Sequence, residues 1–333
     1  MKDVVPDIER WRGRGERFAL ATVVATRRSA PRPVGSKLAV SEGGELAGSV
    51  SGGCVENEVY GAAREVLEGA PPQLLSYGIS DDQALSVGLP CGGEIDVYVH
   101  VPDPDVVERV LDLLTGEERA VVLTDLETGD QRVARDSELE RGRSRLVELE
   151  GRQLFADVYG PPPRLLVFGA VDTAEALCRA AKAIGWRTIV ADARAKFATK
   201  ERIPSADELV VAWPDEVLEQ VEPDHATAVV VLTHDDRFDI PALQGALASE
   251  AFYVGALGSR RNQARRRERL LEAGVEEEAL DRISGPAGLD IGADTPAETA
   301  LSILAEILAV RAGRVGGHLK EAAGRIHAEV QPA

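Results

Sequence analysis

Two cysteines stand where a soft, nucleophilic sulfur could meet a ligand. Cys54 closes the run Ser51-Gly52-Gly53-Cys54 and is followed by Val55-Glu56; Cys91 sits inside Gly88-Leu89-Pro90-Cys91-Gly92-Gly93-Glu94. Paired glycines let the backbone approach a ligand or another segment closely. Cys54 also falls at a predicted helix start, whose partial positive charge favours a thiolate, while Glu56 and Glu94 pull the other way. Cys178, on the apolar stripe of another predicted helix, reads as a buried small hydrophobe. With Glu56 the two glycine-flanked thiols make only a thin ligand set for a metal, and no C-x-x-C pair accompanies them.

A second constellation suits an oxyanion. Gly255-Ala256-Leu257-Gly258-Ser259-Arg260-Arg261 follows an apolar strand and joins small residues to adjacent guanidinium groups, which recognise phosphate by paired hydrogen bonds. Gly258, Ser259, Arg260 and Arg261 are the expected cradle; Arg265, Arg266, Arg267 and Arg269 read as an exposed helix face paired with acids. Thr233-His234-Asp235-Asp236 ends the preceding strand, and a histidine beside acids offers either an acid/base or ligand group or a structural strand end. Gly169 takes the place of a glycine-rich phosphate turn, and Asp192, about 20 residues on, that of a ribose-binding acid. Val171 stands where a second glycine would admit pyrophosphate, and Asp172 adds charge of the wrong sign.

The elements that must position these loops follow from patterning. Phe18 to Thr26 is an apolar, β-branched strand, followed by strands at Lys37–Ser41, Leu46–Val50, Gln73–Tyr77 and Glu94–His100 and a helix striped by Val55, Val59, Ala62, Ala63, Val66 and Leu67. A helix over Val106–Leu114 and a hairpin of Ala120–Thr124 with Gln131–Ala134 come next, before the stiff Pro161-Pro162-Pro163. From Arg164 short apolar strands alternate with helices, the pattern of a parallel sheet covered on both faces. The fold class is α/β: a smaller, mixed N-terminal α/β domain over 1–101, an intermediate segment and linker over 102–163, a Rossmann-like parallel-sheet domain over 164–312 and a tail over 313–333.

The sequence has 333 residues, a formal net charge of −18 and three cysteines. That charge argues against a nucleic-acid partner, no apolar run is long enough for a membrane helix, and the polar start lacks a signal peptide. The expected setting is cytoplasmic.

Ala30-Pro31-Arg32-Pro33-Val34-Gly35-Ser36, Gly48 to Glu56 and Val87 to Gly93 resemble the signature segments of the XdhC/CoxI family. Val231 to Asp235, Asp239, Gly255 to Arg261 and Gly288 to Gly292 with Thr295-Pro296-Ala297-Glu298 are similar to its Rossmann-like domain. Where family members usually read G-A-G-H, this chain has Gly169-Ala170-Val171-Asp172. The resemblance implies an accessory chaperone rather than a dehydrogenase. Such a chaperone binds molybdenum cofactor (molybdopterin form), supports its sulfuration and inserts it into the apo-enzyme of a xanthine dehydrogenase-type molybdenum hydroxylase. A cysteine desulfurase is a further expected partner and a homodimer the expected assembly. The expected site lies in a cleft between domains, with Cys54 and Cys91 in sulfur transfer or molybdenum contact, no protein-built metal centre, and Gly52, Gly53, Gly92, Gly93, Gly169, Asp192, His234, Asp235, Gly258, Ser259, Arg260 and Arg261 binding cofactor. The alternative is an NAD(P)-dependent oxidoreductase.

Overall fold

The computed structural model describes residues 1, 3–27, 30–78, 93–116, 118–135, 139 and 143–321. The chain divides into two compact units, one from Met1 to Pro161 together with the last residues from Leu319, the other from Pro162 to His318. Among the described residues no helix is long and apolar enough to cross a membrane.

The first unit opens with helix α1 (Val5–Gly13), strands β1 (Phe18–Arg27), β2 (Lys37–Ser41) and β3 (Leu46–Gly48), helix α2 (Glu56–Leu67), and strands β4 (Gln73–Tyr77) and β5 (Glu94–His100). These strands form an antiparallel sheet in the order β3-β2-β1-β5-β4. Both of its faces are covered, which is why β1 is buried at every residue from Phe18 to Val24 rather than at alternate ones. Ala19, Ala21 and Val23 face α2, whereas Phe18 and Leu20 pack with Val4, Ile8 and Trp11 around α1. Helix α3 (Pro104–Thr115) follows, and β6 (Ala120–Asp125), β7 (Gln131–Ala134), β8 (Arg145–Leu149) and β9 (Arg152–Tyr159) build a second antiparallel sheet, order β7-β6-β9-β8. The β8–β9 hairpin turns on Glu150 and Gly151, both at positive φ, as a two-residue turn between twisted strands requires.

The two sheets of this unit meet through Val24, Tyr98, Leu146 and Phe155. Beside that apolar seam lies a buried ion pair: Lys37 Nζ donates to Asp157 Oδ2 at 2.5 Å, with 2% and 10% of the two side chains exposed. Lys37 also donates to Thr22, its cross-strand neighbour on β1, while the hydroxyls of Ser144 and Tyr159 donate to Asp157. His100 is buried nearby and its Nδ1 has no hydrogen-bond partner.

The second unit comprises β10 (Arg164–Phe168), α4 (Asp172–Ala183), β11 (Arg187–Ala191), β12 (Glu208–Val210), α5 (Pro214–Val221), β13 (Thr227–Val231), α6 (Asp236–Ala248), β14 (Tyr253–Ala256), α7 (Arg260–Glu272), α8 (Glu277–Leu280), β15 (Ile283–Ser284) and α9 (Pro296–Arg311). Its six strands are all parallel, in the order β12-β11-β10-β13-β14-β15. This is the doubly wound, dinucleotide-binding order, with its topological switch point between β10 and β13. One face packs on α4 and α9 through Leu177, Cys178, Ile303 and Ile307, the other on α5, α6 and α7 through Val217, Leu243 and Leu270. The thiol of Cys178 is pushed up to about 12 by burial.

Burial, followed by the nearby Lys37 charge, depresses the pKa of His100 to about 4 from its ordinary 6.5. On acidification between these values the unfolded chain takes up a proton that the native chain refuses, so stability falls with falling pH. The loss should approach about 3 kcal/mol at about 1.4 kcal/mol per pH unit. His100→Phe should remove this part of the slope, read from hydrogen exchange of the β1 and β5 amides at matched pH; an unchanged slope counts against it.

Candidate functional site

The cysteine loop begins where β3 ends. Gly48 lies at φ +80°, and a Cβ there would meet the Lys37 carbonyl oxygen at 2.3 Å and a Val4 methyl at 2.5 Å. Only glycine lets β3 pass so close to β2, and Ser49 N–H then donates to the Lys37 carbonyl. The loop that follows wraps around one side chain. The Glu56 carboxylate accepts hydrogen bonds from the backbone N–H groups of Val50, Ser51, Gly52 and Gly53 and from the hydroxyls of Ser49 and Ser51. Partial burial pushes the Glu56 carboxyl up, but the hydroxyls of Ser49 and Ser51 and the backbone donors outweigh it and bring the pKa to about 2.

A Cβ on Gly52 or Gly53 would meet nothing within 4 Å, so no described segment of the chain approaches them; their φ values of +80° and +116° are what the turn requires. Cys54 is exposed, and its N–H donates to Ser51 Oγ at 2.9 Å. The helix itself starts at Glu56 with Val55 as N-cap, so the positive end of α2 is met by the chain's own carboxylate rather than by the Cys54 sulfur. Gly93 is buried immediately before β5, whereas Cys91 and Gly92 lie outside the described residues.

In the second unit Gly169, Asp192, His234, Asp235, Gly258, Ser259, Arg260 and Arg261 all follow the carboxyl ends of strands, and so gather along one edge of the parallel sheet. The first turn is tight: Gly169 lies at φ +107°, and a Cβ there would come 2.8 Å from a Thr233 methyl. Asp192 is fully engaged. It accepts the Ala170 N–H at 3.0 Å and grips Arg194 through Nε at 2.8 Å and Nη2 at 2.7 Å. Burial pushes its carboxyl up, yet these bonds hold it below the usual range. A ribose hydroxyl would therefore compete with a guanidinium for this acid.

Asp235 caps α6 and pairs with Arg237, which holds it at about 2. His234 is exposed beside it. Ser259 caps α7, accepting the Asn262 N–H. Arg260 and Arg261 are exposed in the first helical turn, where the helix dipole disfavours positive charge. Arg265, Arg267 and Arg269 each have acidic partners, while Arg260 and Arg261 have none among the described residues.

Arg266 is not surface. It is 4% exposed and donates to Asp239 at 2.6 Å and to the Leu257 carbonyl, and Asp239 also binds Thr233. Burial raises the Asp239 carboxyl despite these partners. The signal was the spacing: Arg266 lies four residues before Leu270, the buried apolar residue of α7. Sequence reading also passed over Lys37 and Asp157, although a charge inside an otherwise apolar strand announces a buried partner. Among the described residues no group of three His, Cys, Asp or Glu side chains could hold a metal ion.

Among known proteins, a profile of the XdhC and CoxI family matches residues 11–78 and one of the XdhC Rossmann domain matches residues 165–307. The molybdenum cofactor insertion chaperone PaoD of Escherichia coli (strain K12) is 30% identical over 298 residues, covering 89% of this chain and 84% of that protein. The chain belongs to the XdhC and CoxI family. A probable xanthine dehydrogenase subunit of Bacillus subtilis (strain 168) is 29% identical over 316 residues, covering 89% of this chain and 94% of that one. A crystal structure described as a xanthine dehydrogenase from Bacillus halodurans matches with a TM-score of 0.64 and 27% identity, over 96% of this chain and 98% of that one. In this XdhC-family chain the Glu56-held loop lies in the first matched stretch and the Gly169-to-Arg261 sheet edge in the second; the β6–β9 sheet lies outside both.

Glu56→Ala should release the loop while leaving the sheets intact. Amide exchange at Ser51, Gly52 and Gly53 is expected to rise by roughly tenfold or more, because a charged acceptor contributes about 1.5–3 kcal/mol per hydrogen bond. Exchange rates equal to those of the unaltered chain would show that the carboxylate does not hold the turn.

Proposed function

We propose that this chain takes up molybdenum cofactor as cargo, holds it while a sulfido ligand replaces an oxo ligand, and inserts it into an apo-enzyme of the xanthine dehydrogenase type. The observation that carries the reading is the similarity, over 89% of the chain, to a molybdenum cofactor insertion chaperone. The chain itself is not the hydroxylase.

The residues suit this cargo in kind. Arg260 and Arg261, free of acidic partners among the described residues, match the phosphate that the cofactor carries. Cys54 offers an exposed thiol on a turn that Glu56 keeps in one conformation, a soft group appropriate to a sulfur-exchanging metal. Cys91, in the second glycine-flanked run, is proposed to act with it. A cysteine desulfurase as sulfur source and a homodimeric assembly belong to the same proposal.

Purification from a molybdenum-replete host, with metal and pterin measured, tests the reading. Stoichiometric cofactor is expected; a preparation that never carries molybdenum and pterin, or robust xanthine oxidation by the isolated chain, overturns it. Arg260→Ala with Arg261→Ala should lower retention by roughly tenfold or more. Cys54→Ser and Cys91→Ser should impair maturation of a co-expressed molybdenum enzyme while Cys178→Ser does not; full maturation by both folded variants makes those thiols structural.

The sheet order favours a nicotinamide nucleotide as the second reading. The engagement of Asp192 by Arg194 and the branched Val171 at the phosphate turn oppose it. Titration with NAD and NADP is expected to show weak or no binding; tight binding that is lost on Asp192→Ala would reinstate the oxidoreductase.

A further inference from the structure

The first unit holds a cleft of about 340 Å³ that the cargo reading does not use. Its wall is the segment from Arg32 to Lys37, joined by Ser49, Ser144 and the end of β9 from Asp157 to Gly160. The charged side chains lining it are Arg32, Lys37, Asp157 and Asp3. Asp157 is committed at both oxygens, to Lys37 and Tyr159 on one and to Ser144 on the other. An ammonium has three N–H donors. Asp157 and Thr22 take two of those on Lys37, leaving one on a side chain only 2% exposed that borders the cleft. Arg32 is exposed at the cleft with no ion pair or hydrogen bond among the described residues. The hydroxyls of Ser49 and Ser144 are already spent as donors, on Glu56 and Asp157.

The uncommitted side-chain donors among the described lining residues are therefore a forked guanidinium, a buried ammonium proton and the Ser36 hydroxyl, in a space large enough for a small organic molecule. The uncommitted acceptor is Asp3, which suits a ligand that also carries N–H donors. We propose that this cleft binds a small phosphate-bearing ligand, with Arg32 as the anchor of the phosphate and Lys37 beneath it. A guanidinium recognises phosphate through paired, directed hydrogen bonds, so recognition does not need a strongly positive field. The net charge of −18 makes this directed form the suitable one. Because the proposed function places the cargo's phosphate at Arg260 and Arg261, the phosphate held in this cleft is that of a free phosphorylated metabolite.

Calorimetric titration of the cargo-free full chain with inorganic phosphate and with adenosine monophosphate tests the cleft. Saturable binding of the nucleotide is expected, weakened roughly tenfold or more in Arg32→Glu and less in Arg32→Lys, which keeps the charge but loses the fork. Arg32 is exposed on a loop, and both variants should fold; Arg260→Ala with Arg261→Ala should titrate as the unaltered chain does. Molybdenum retention by Arg32→Glu should equal that of the unaltered chain; its loss would move the cargo's phosphate to this cleft and overturn the assignment to a free metabolite. No saturable binding by the unaltered chain, or equal binding by Arg32→Glu, overturns the proposal. A preparation that never carries molybdenum defeats the cargo reading while leaving the titration decisive for the cleft.

Discussion

An ammonium group between two β-sheets costs several kcal/mol unless a partner is built for it, and much of the first unit is arranged around meeting that requirement at Lys37. The side chain reaches Asp157 on β9, so the five-stranded and four-stranded sheets are tied by a contact 120 residues apart in sequence. The carbonyl of the same residue accepts the Ser49 N–H, and Gly48 must lack a side chain for that approach. Ser49 in turn donates to Glu56. One residue thereby sets both the sheet junction and the first hydrogen bond of the cysteine loop.

The acidic surplus of the chain acquires a structural meaning from such contacts. Glu56 closes the Ser49–Cys54 turn, Asp192 the first βα turn, Asp235 the start of α6, and Glu298 the capping box of α9. Asp239 anchors Arg266 beneath the Gly258 loop. Carboxylates serve here as local clamps, each satisfying backbone N–H groups or a guanidinium that would otherwise be open. Arg32, Arg260 and Arg261 have no acid of their own among the described residues.

The second unit shows how a fold can keep its ligand-binding edge while altering its chemistry. The strand order places loops at the carboxyl edge as in dinucleotide-binding proteins. The acid expected for a ribose is instead paired internally, and Arg260 and Arg261, without acidic partners among the described residues, lie at α7, after β14. A fold of this kind licenses an edge, not a ligand.

Much of the architecture was legible in the sequence because it rests on local periodicity. The parallel sheet and the burial of Cys178 are each set by patterning within a few turns or strands. The β8–β9 hairpin escaped because its turn is Glu150-Gly151 rather than an asparagine- or aspartate-led pair. Gly52 and Gly53 were legible as special positions, and the structure adds the positive φ that the turn demands of them. The Lys37–Asp157 pair, the burial of Arg266 and the engagement of Asp192 by Ala170 and Arg194 were decided by tertiary structure alone. Whether a charge is solvated or clamped depends on which distant strand or loop folds against it, and one-dimensional spacing carries no record of that encounter.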